Sequence, residues 1–305
     1  MKRTIWKPII IIISILSLSA IILCPIILNN HQRNIVAPAI IDDIPGSEPP
    51  YHFDYSWTED HPYVAHAFGS ILGDSYTNSR EAFLLNYQLG HRVFEVDFSI
   101  TDDGHTVAAH DANHWRESTT TYEPIDFIKA SDSPQAFTYN NFMSSLWYGK
   151  YHPLDLTQLL QIMANYPDIY IVTDTKYYDQ EHVTQQFSDF LSAAKQIDTA
   201  LLDRFIIQIY RPEMLDQIMQ IYPWKSVIYT LYNNPDWTTE NVLEFSQQSG
   251  VKLITLAGAW ANEHNVQVWQ SASIQVAAHT VNQLNYANQL HALGVKLLYT
   301  DFLLP

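Results

Sequence analysis

The sequence predicts a (β/α)8 TIM barrel preceded by a single N-terminal transmembrane helix. From residue 63 onward, short runs rich in β-branched and aromatic residues alternate with amphipathic stretches, which is typical of parallel βα units. Eight such units need about 250 residues, and residues 63–305 provide that length. The membrane helix is predicted from residues 9–28, which form an apolar run without a charge; about 20 such residues span a bilayer.

The N-terminal run is interpreted as an uncleaved anchor. Lys2, Arg3 and Lys7 precede it, so residues 1–8 are expected to form a cytoplasmic tail and the barrel to lie outside the cytoplasm. A cleaved signal peptide is the alternative. It is less favoured, because the run is long for a signal core and no small-x-small site follows closely.

Residues 29–62 are predicted to be a linker between the membrane and the barrel. They contain Pro38, Pro45, Pro49 and Pro50 and show little periodicity. The protein is therefore expected at the cell membrane as a single-pass protein, with residues 63–305 forming an extracytoplasmic domain.

The charge balance excludes one class of partner. Residues 1–34 hold four basic residues and no acidic ones, so the rest of the chain carries 12 basic and 32 acidic residues. Nucleic-acid binding needs basic patches, so no nucleic-acid partner is expected. Cys24 is the only cysteine, so no disulfide can form within the chain. The oligomeric state does not follow from the sequence.

Nine strands and six helices are predicted in chain order. Thr101-Asp102-Asp103-Gly104 is a turn signal that joins the second and third strands without a helix. One strand is therefore expected to be supplementary to an eight-stranded barrel, and an open doubly wound sheet is the alternative. The predicted strands are 63–66, 92–100, 106–110, 169–174, 205–210, 226–231, 252–256, 274–279 and 296–300. The predicted helices are 79–89, 156–165, 182–195, 212–221, 239–249 and 281–293.

Residues 112–153 interrupt this alternation. The segment is rich in Thr, Ser, Tyr and Asn, and loops of this length are uncommon unless they are functional. In a barrel it would lie at the C-terminal face, over the site.

Two carboxylates in the second predicted strand are the strongest functional signal. Glu95 and Asp97 lie two residues apart within Val-Phe-Glu-Val-Asp-Phe, so they share one face of a strand that is otherwise apolar. Two ionised carboxylates side by side in a core repel each other and lose hydration. They therefore predict a cation, and a hard divalent metal is the usual one.

Other polar residues end neighbouring strands and should meet at the same mouth. Asp174 completes a set of three oxygen ligands for Ca²⁺ or Mg²⁺, and Lys176 offers a cation to a phosphate oxygen. His66 and His110 offer an acid and a base near neutral pH. These parts suit metal-assisted phosphodiester cleavage of a small-molecule or polymer substrate.

The ordered motifs resemble those of bacterial glycerophosphodiester phosphodiesterases. Residues 66–111 resemble the opening of that family, which shows His-Arg-Gly, Asn-x-x-x-Ala-Phe, Glu-x-Asp, Thr-x-Asp-Gly and His-Asp in this order. Later matches are Asp174-Thr175-Lys176, His279-Thr280-Val281-Asn282 and the closing Thr300-Asp301. The first motifs have the form His-Ala-x-Gly followed by Tyr-Thr-Asn-Ser, which resembles a membrane-anchored branch of the family.

The resemblance implies the barrel shared with phosphatidylinositol-specific phospholipases C. It also implies Glu95, Asp97 and Asp174 as metal ligands and His66 and His110 as the catalytic pair. In related enzymes the substrate's own hydroxyl can attack first, which gives a cyclic phosphodiester.

Three residues depart from the family pattern. Ala67 stands where relatives have a phosphate-binding arginine, Asp174 replaces a glutamate, and His279 replaces a tryptophan. The expected function is hydrolysis of a glycerophosphodiester, a phospholipid head group or a polyol-phosphate envelope polymer. The alternatives are a catalytically weak barrel that binds a phospho-polyol or glycan, and a lyase that releases a cyclic phosphodiester. Asp301 is expected to be structural.

Overall fold

A computed structural model describes residues 48–120 and 135–305. Within them the chain forms a closed barrel of eight parallel strands, in the order β1, β9, β8, β7, β6, β5, β4, β2, with β2 pairing back to β1. The barrel is confirmed, and the open-sheet alternative is wrong. The strands are β1 (Tyr63–Ala65), β2 (Val93–Ile100), β3 (Thr106–Ala108), β4 (Tyr170–Asp174), β5 (Phe205–Ile209), β6 (Ser226–Thr230), β7 (Leu253–Ala257), β8 (Gln275–His279) and β9 (Leu297–Thr300).

Helices cover the outside of the barrel between the strands. Among the strands of the described residues, β3 pairs with β2 alone, in antiparallel register, so it is the supplementary strand that the turn at 101–104 predicted. The helices are α1 (Arg80–Gln88), α2 (Ala112–Thr120), α3 (Tyr139–Ser144), α4 (Leu156–Asn165), α5 (Gln180–Ala194), α6 (Met214–Ile221), α7 (Thr239–Ser249), α8 (Glu263–Ser271) and α9 (Leu284–Leu293).

The predicted loop at 112–153 and the predicted set of helices both differ from the structure. The segment 112–153 is not one continuous loop, because α2 and α3 lie in it. Asp111 starts α2 by accepting hydrogen bonds from the backbone N–H groups of Asn113 and His114. α8 was not predicted from the sequence, because its buried apolar face consists only of Val266 and Trp269 and gives a weak helical pattern.

Residues before β1 close the N-terminal end of the barrel. Trp57 packs among the buried side chains at the starts of the strands, and its indole N–H donates to Ser226 Oγ at 2.9 Å. Across residues 48–120 and 135–305, none of the helices combines the length and the apolar character that a membrane span requires. The predicted tail at 1–8, the anchor at 9–28 and the first part of the linker lie outside the described residues.

The turn that follows β1 is strained and held by one side chain. Ala67 and Phe68 have positive φ angles of 48° and 67°, and Gly69 follows at 80°. The Asn86 amide of α1 donates to the carbonyl oxygens of Phe68 and Ser70, at 2.9 and 3.0 Å. The same amide also donates to the carbonyl oxygen of Ala82 in α1 at 3.0 Å, so it ties the turn to that helix.

Gly69→Ala is expected to destabilise the protein by about 2 kcal/mol more than Gly73→Ala. Both glycines have positive φ, but a Cβ on Gly69 would lie 2.6 Å from Asn86 Nδ2, whereas a Cβ on Gly73 meets nothing within 4 Å. Urea unfolding of the two variants measures the difference. Equal losses would show that Asn86 does not hold this turn.

His91 makes the stability of the fold depend on pH. Its side chain is buried, Nε2 lies 3.1 Å from the carbonyl oxygen of Leu303, and Nδ1 has no hydrogen-bond partner among residues 48–120 and 135–305. Burial lowers the pKa of His91 from 6.5 to about 4, and the bond to Leu303 offsets only part of this effect. The neutral ring is therefore the folded form.

The unfolded chain binds a proton on His91 at a higher pH than the folded chain does. The stability from the neutral ring is thus complete above pH 6.5 and is lost as the pH falls from there to about 4. Between pH 7 and pH 5 this amounts to about 2 kcal/mol. We expect His91→Gln to reduce that loss in urea unfolding, whereas His264→Gln, on an exposed histidine, should leave it unchanged.

Candidate active site

Three acidic side chains meet at the C-terminal mouth of the barrel. β2 and β4 pair with Asp97 opposite Asp174, and Glu95 points to the same side of β2 as Asp97. One carboxylate oxygen of each residue lies within 4.8 Å of the others. All three residues are buried, and Glu95 and Asp97 are only 1% and 0% exposed. The structure therefore brings together the three residues that the sequence predicted as metal ligands.

Glu95 carries an unsatisfied oxygen in this cluster. Its Oε2 accepts a hydrogen bond from the backbone N–H of Ala67 at 2.6 Å, whereas Oε1 is buried and has no hydrogen-bond partner in the described part of the chain. Burial, and next the negative charge of Asp97, raise the pKa of Glu95. An acceptor oxygen that is buried and unpartnered is the kind of group that a bound cation satisfies.

Asp97 is held in its ionised form by neighbours on both sides. The Asn78 amide donates to Oδ2 at 2.8 Å, and Lys176 Nζ lies 2.7 Å from Oδ1. Burial would raise the pKa of Asp97, but the positive charges of Lys176, His110 and His66 outweigh it and lower the pKa. The ammonium group of Lys176 also pairs with Asp174, so it lies between two of the predicted ligands.

Two tyrosines that sequence reasoning missed complete the surroundings of Asp174. The hydroxyl groups of Tyr210 and Tyr232 both donate to Asp174 Oδ1, the second at 3.2 Å. Tyr210 directly follows β5 and Tyr232 lies two residues beyond β6, so their position at the C-terminal ends of strands was a usable signal. They fix the orientation of a carboxylate that is one methylene shorter than the family's glutamate.

His66 is positioned by Asp301, which directly follows the last strand. Its Nδ1 lies 2.8 Å from Asp301 Oδ1, and its Nε2 lies 3.9 Å from Glu95 Oε2. Asn282 holds Asp301 by donating to Oδ2 at 2.7 Å and by accepting from the Asp301 N–H at 2.8 Å. Burial lowers the pKa of His66, but Asp301 and the charges of Glu95 and Asp97 outweigh it and raise the pKa to about 9. Asp301 thus has a positioning role that sequence reasoning did not assign.

His110 lies on the more open side of the mouth. Its side chain is 36% exposed, and its Nδ1 lies 2.6 Å from Asp111 Oδ2. A cavity of about 750 Å³ extends from His110 toward α2 and is partly lined by Tyr76, Phe137 and Tyr177. Tyr76 connects the two histidines, because its ring centroid lies 4.6 Å from that of His66 and 5.7 Å from that of His110.

The family model for glycerophosphoryl diester phosphodiesterases matches residues 69–304. The chain belongs to this family. The phosphodiesterase is accordingly a phosphoric diester hydrolase, as the ordered motifs predicted. No curated protein sequence matches it.

Solved structures show the same fold at low sequence identity. A candidate glycerophosphoryl diester phosphodiesterase from Silicibacter pomeroyi is 17% identical, with 79% of this chain and 90% of that chain covered and a TM-score of 0.64. A glycerophosphodiester phosphodiesterase from Parabacteroides distasonis is 16% identical, with coverages of 79% and 92% and a TM-score of 0.60. A phosphodiesterase from Oleispira antarctica, in complex with the product sn-glycerol 3-phosphate, is 16% identical, with coverages of 79% and 92% and a TM-score of 0.59.

The acidic cluster of the phosphodiesterase fits a divalent metal. Glu95, Asp97 and Asp174 provide hard oxygen donors, and the unpartnered Glu95 Oε1 lies among them. The donor set suits either Ca²⁺ or Mg²⁺ and does not discriminate between them.

Proposed function

We propose that this phosphodiesterase hydrolyses glycerophosphodiester-type substrates with a divalent metal and a pair of histidines. The observation that carries the proposal is the placement of the cluster Glu95, Asp97 and Asp174 in the same mouth as His66 and His110. A cation held by the three carboxylates would polarise a phosphoryl oxygen and offset the charge that develops on it.

The hydrogen bonds of the two histidines indicate which atoms transfer protons. Each imidazole places Nδ1 against a carboxylate, Asp301 for His66 and Asp111 for His110. Nε2 is therefore the ring atom left to face the substrate in both residues. One Nε2 takes the proton of the attacking hydroxyl or water, and the other gives a proton to the departing alkoxide.

Lys176 is proposed to bind the substrate phosphate. Its ammonium group pairs with Asp97 and Asp174 in the described structure. A cation bound by these carboxylates would replace that pairing, and the ammonium would then be available to a phosphate oxygen. The lysine lies two residues beyond β4, at a position with a φ of 62°.

The substrate class is proposed from the family and from the Oleispira antarctica structure, which holds sn-glycerol 3-phosphate. Candidates are glycerophosphodiesters, phospholipid head groups and polyol-phosphate polymers of the cell envelope. The test is a screen of these substrates with Ca²⁺, Mg²⁺ or a chelator, with the products identified by phosphorus NMR. A phosphomonoester product supports hydrolysis, a persistent cyclic product indicates a lyase, and binding without turnover indicates a binding barrel.

We further propose that residues 9–28 anchor the enzyme in the cell membrane with the barrel outside the cytoplasm. The support is the uncharged apolar run and the basic residues before it. The barrel has no cysteine of its own, so Leu89→Cys places a single thiol on its exposed surface. In a Cys24→Ser background, labelling of whole cells by a membrane-impermeant maleimide supports this topology, and labelling only after lysis contradicts it.

A further inference from the structure

Tyr76 occupies a strained position beside the catalytic pair. It lies in the loop between β1 and α1 with a φ of 60°, which is unusual for a bulky residue. The chain on both sides is fixed: Ile71 and Asp74 form an isolated bridge, and Asn78 is buried with its side chain bonded to Asp97. A strained backbone that its surroundings enforce is found most often at functional sites.

The ring of Tyr76 borders the space between the two histidines. It meets His66 edge-on at an interplanar angle of 86° and His110 at 77°. Among the aromatic contacts of the described residues, Tyr76 is the one ring that packs against both imidazoles. One histidine takes a proton from the attacking oxygen and the other gives a proton to the leaving oxygen, so the phosphorus atom lies between them and Tyr76 borders it.

The hydroxyl group of Tyr76 points into the mouth. It lies near Thr280, which follows β8, and close enough to Asp301, Asp97 and Glu95 to feel their charges. Burial and these negative charges raise the pKa of Tyr76, so the phenol remains protonated. A phenol hydroxyl group can donate its proton to a ligand oxygen.

The phosphate site of this chain lacks one cationic donor. Ala67 stands in place of the family arginine, is fully buried, and contributes its backbone N–H to Glu95 instead. Lys176, once a bound cation has replaced its pairing with Asp97 and Asp174 as proposed above, is left as the cationic donor on that side of the mouth. A substrate phosphate therefore needs a further donor in this part of the mouth.

We propose that Tyr76 is a catalytic residue whose hydroxyl group donates a hydrogen bond to a nonbridging phosphate oxygen of the substrate. The inference rests on the proposed function, because it places the phosphate between His66 and His110. A neutral phenol provides the directional bond without the charge that a guanidinium would add. The bond strengthens as charge accumulates on the phosphate oxygens, so it favours the transition state over the bound substrate.

Tyr76→Phe tests the inference, since it removes one oxygen and keeps the ring against both histidines. The control is Tyr178→Phe, which removes the hydroxyl of a tyrosine that is 52% exposed. Calorimetric titration with inorganic phosphate and with sn-glycerol 3-phosphate, in saturating Mg²⁺ or Ca²⁺, gives the affinity. For Tyr76→Phe we expect binding about 10-fold weaker and a kcat/KM about 100-fold lower, with an unchanged melting temperature.

Three outcomes overturn the inference. One is a Tyr76→Phe enzyme that binds both phosphates and turns over substrate like the wild type. The second is an equal loss in Tyr178→Phe, which would show that any tyrosine near the mouth has this effect. The third is a wild-type enzyme that binds neither phosphate. If the wild type binds phosphate but cleaves no diester, the proposed function fails while the affinity comparison still decides the role of Tyr76.

Discussion

Glu95→Gln is expected to reduce metal-dependent kcat/KM by about 1,000-fold or more. The substitution replaces an ionisable ligand oxygen by an amide, so the cluster loses one of three negative charges that attract a divalent cation. The remaining Gln oxygen can still accept the N–H of Ala67, which now bonds to Oε2 at 2.6 Å. The turn that carries His66 should therefore keep its shape while the affinity for the metal falls.

Two measurements separate loss of the metal site from loss of the fold. Ca²⁺ or Mg²⁺ should raise the melting temperature of the wild type, because a ligand that binds only the folded state stabilises it, and should leave Glu95→Gln unchanged. Without metal the variant should be at least as stable as the wild type, since a buried carboxylate next to Asp97 has been neutralised. Glu59→Gln, on an exposed residue paired with Lys296, is the matched control. Full metal-dependent activity in Glu95→Gln would refute the proposed ligand set.

The sequence could predict those parts of the site that depend on the spacing of residues along one strand. Glu95 and Asp97 share a strand face because side chains alternate along a strand, and the apolar residues between them mark that strand as buried. Asp174 lies opposite Asp97 at the end of the neighbouring strand, whereas Lys176 lies beyond that strand with a φ of 62°. The positions at the C-terminal ends of predicted strands then indicate one common mouth.

Contacts that depend on closure of the barrel could not be predicted in this way. His66 and Asp301 are 235 positions apart and meet because β1 pairs with β9. Tyr76 reaches both histidines through a loop with a positive φ, which no sequence period describes. α8 has a reciprocal cap between Asn262 and Asn265 but little apolar periodicity, so its cap was a better signal than its hydrophobic pattern.

His66→Asn and His110→Asn are each expected to lower kcat by about 100-fold to 10,000-fold on a glycerophosphodiester. Asparagine keeps a donor near the Nδ1 position, so the contacts with Asp301 and Asp111 can persist while Nε2 is lost. Both imidazoles act in the same reaction, one as the acid and one as the base. The kcat of the double variant should therefore be only slightly lower than that of the less active single variant. His105→Asn, on an exposed histidine with no assigned role, is the control.

A second substrate identifies which histidine is the acid. A 4-nitrophenolate leaving group departs without being protonated, so the variant that lacks the general acid should recover most of its activity on a 4-nitrophenyl phosphodiester. The variant that lacks the general base should remain slow, because the attacking oxygen must still lose its proton. Equal losses on both substrates in both variants would contradict the acid–base division. They would leave the histidines with a role in binding, whereas recovery in one variant alone assigns the proton donor to that residue.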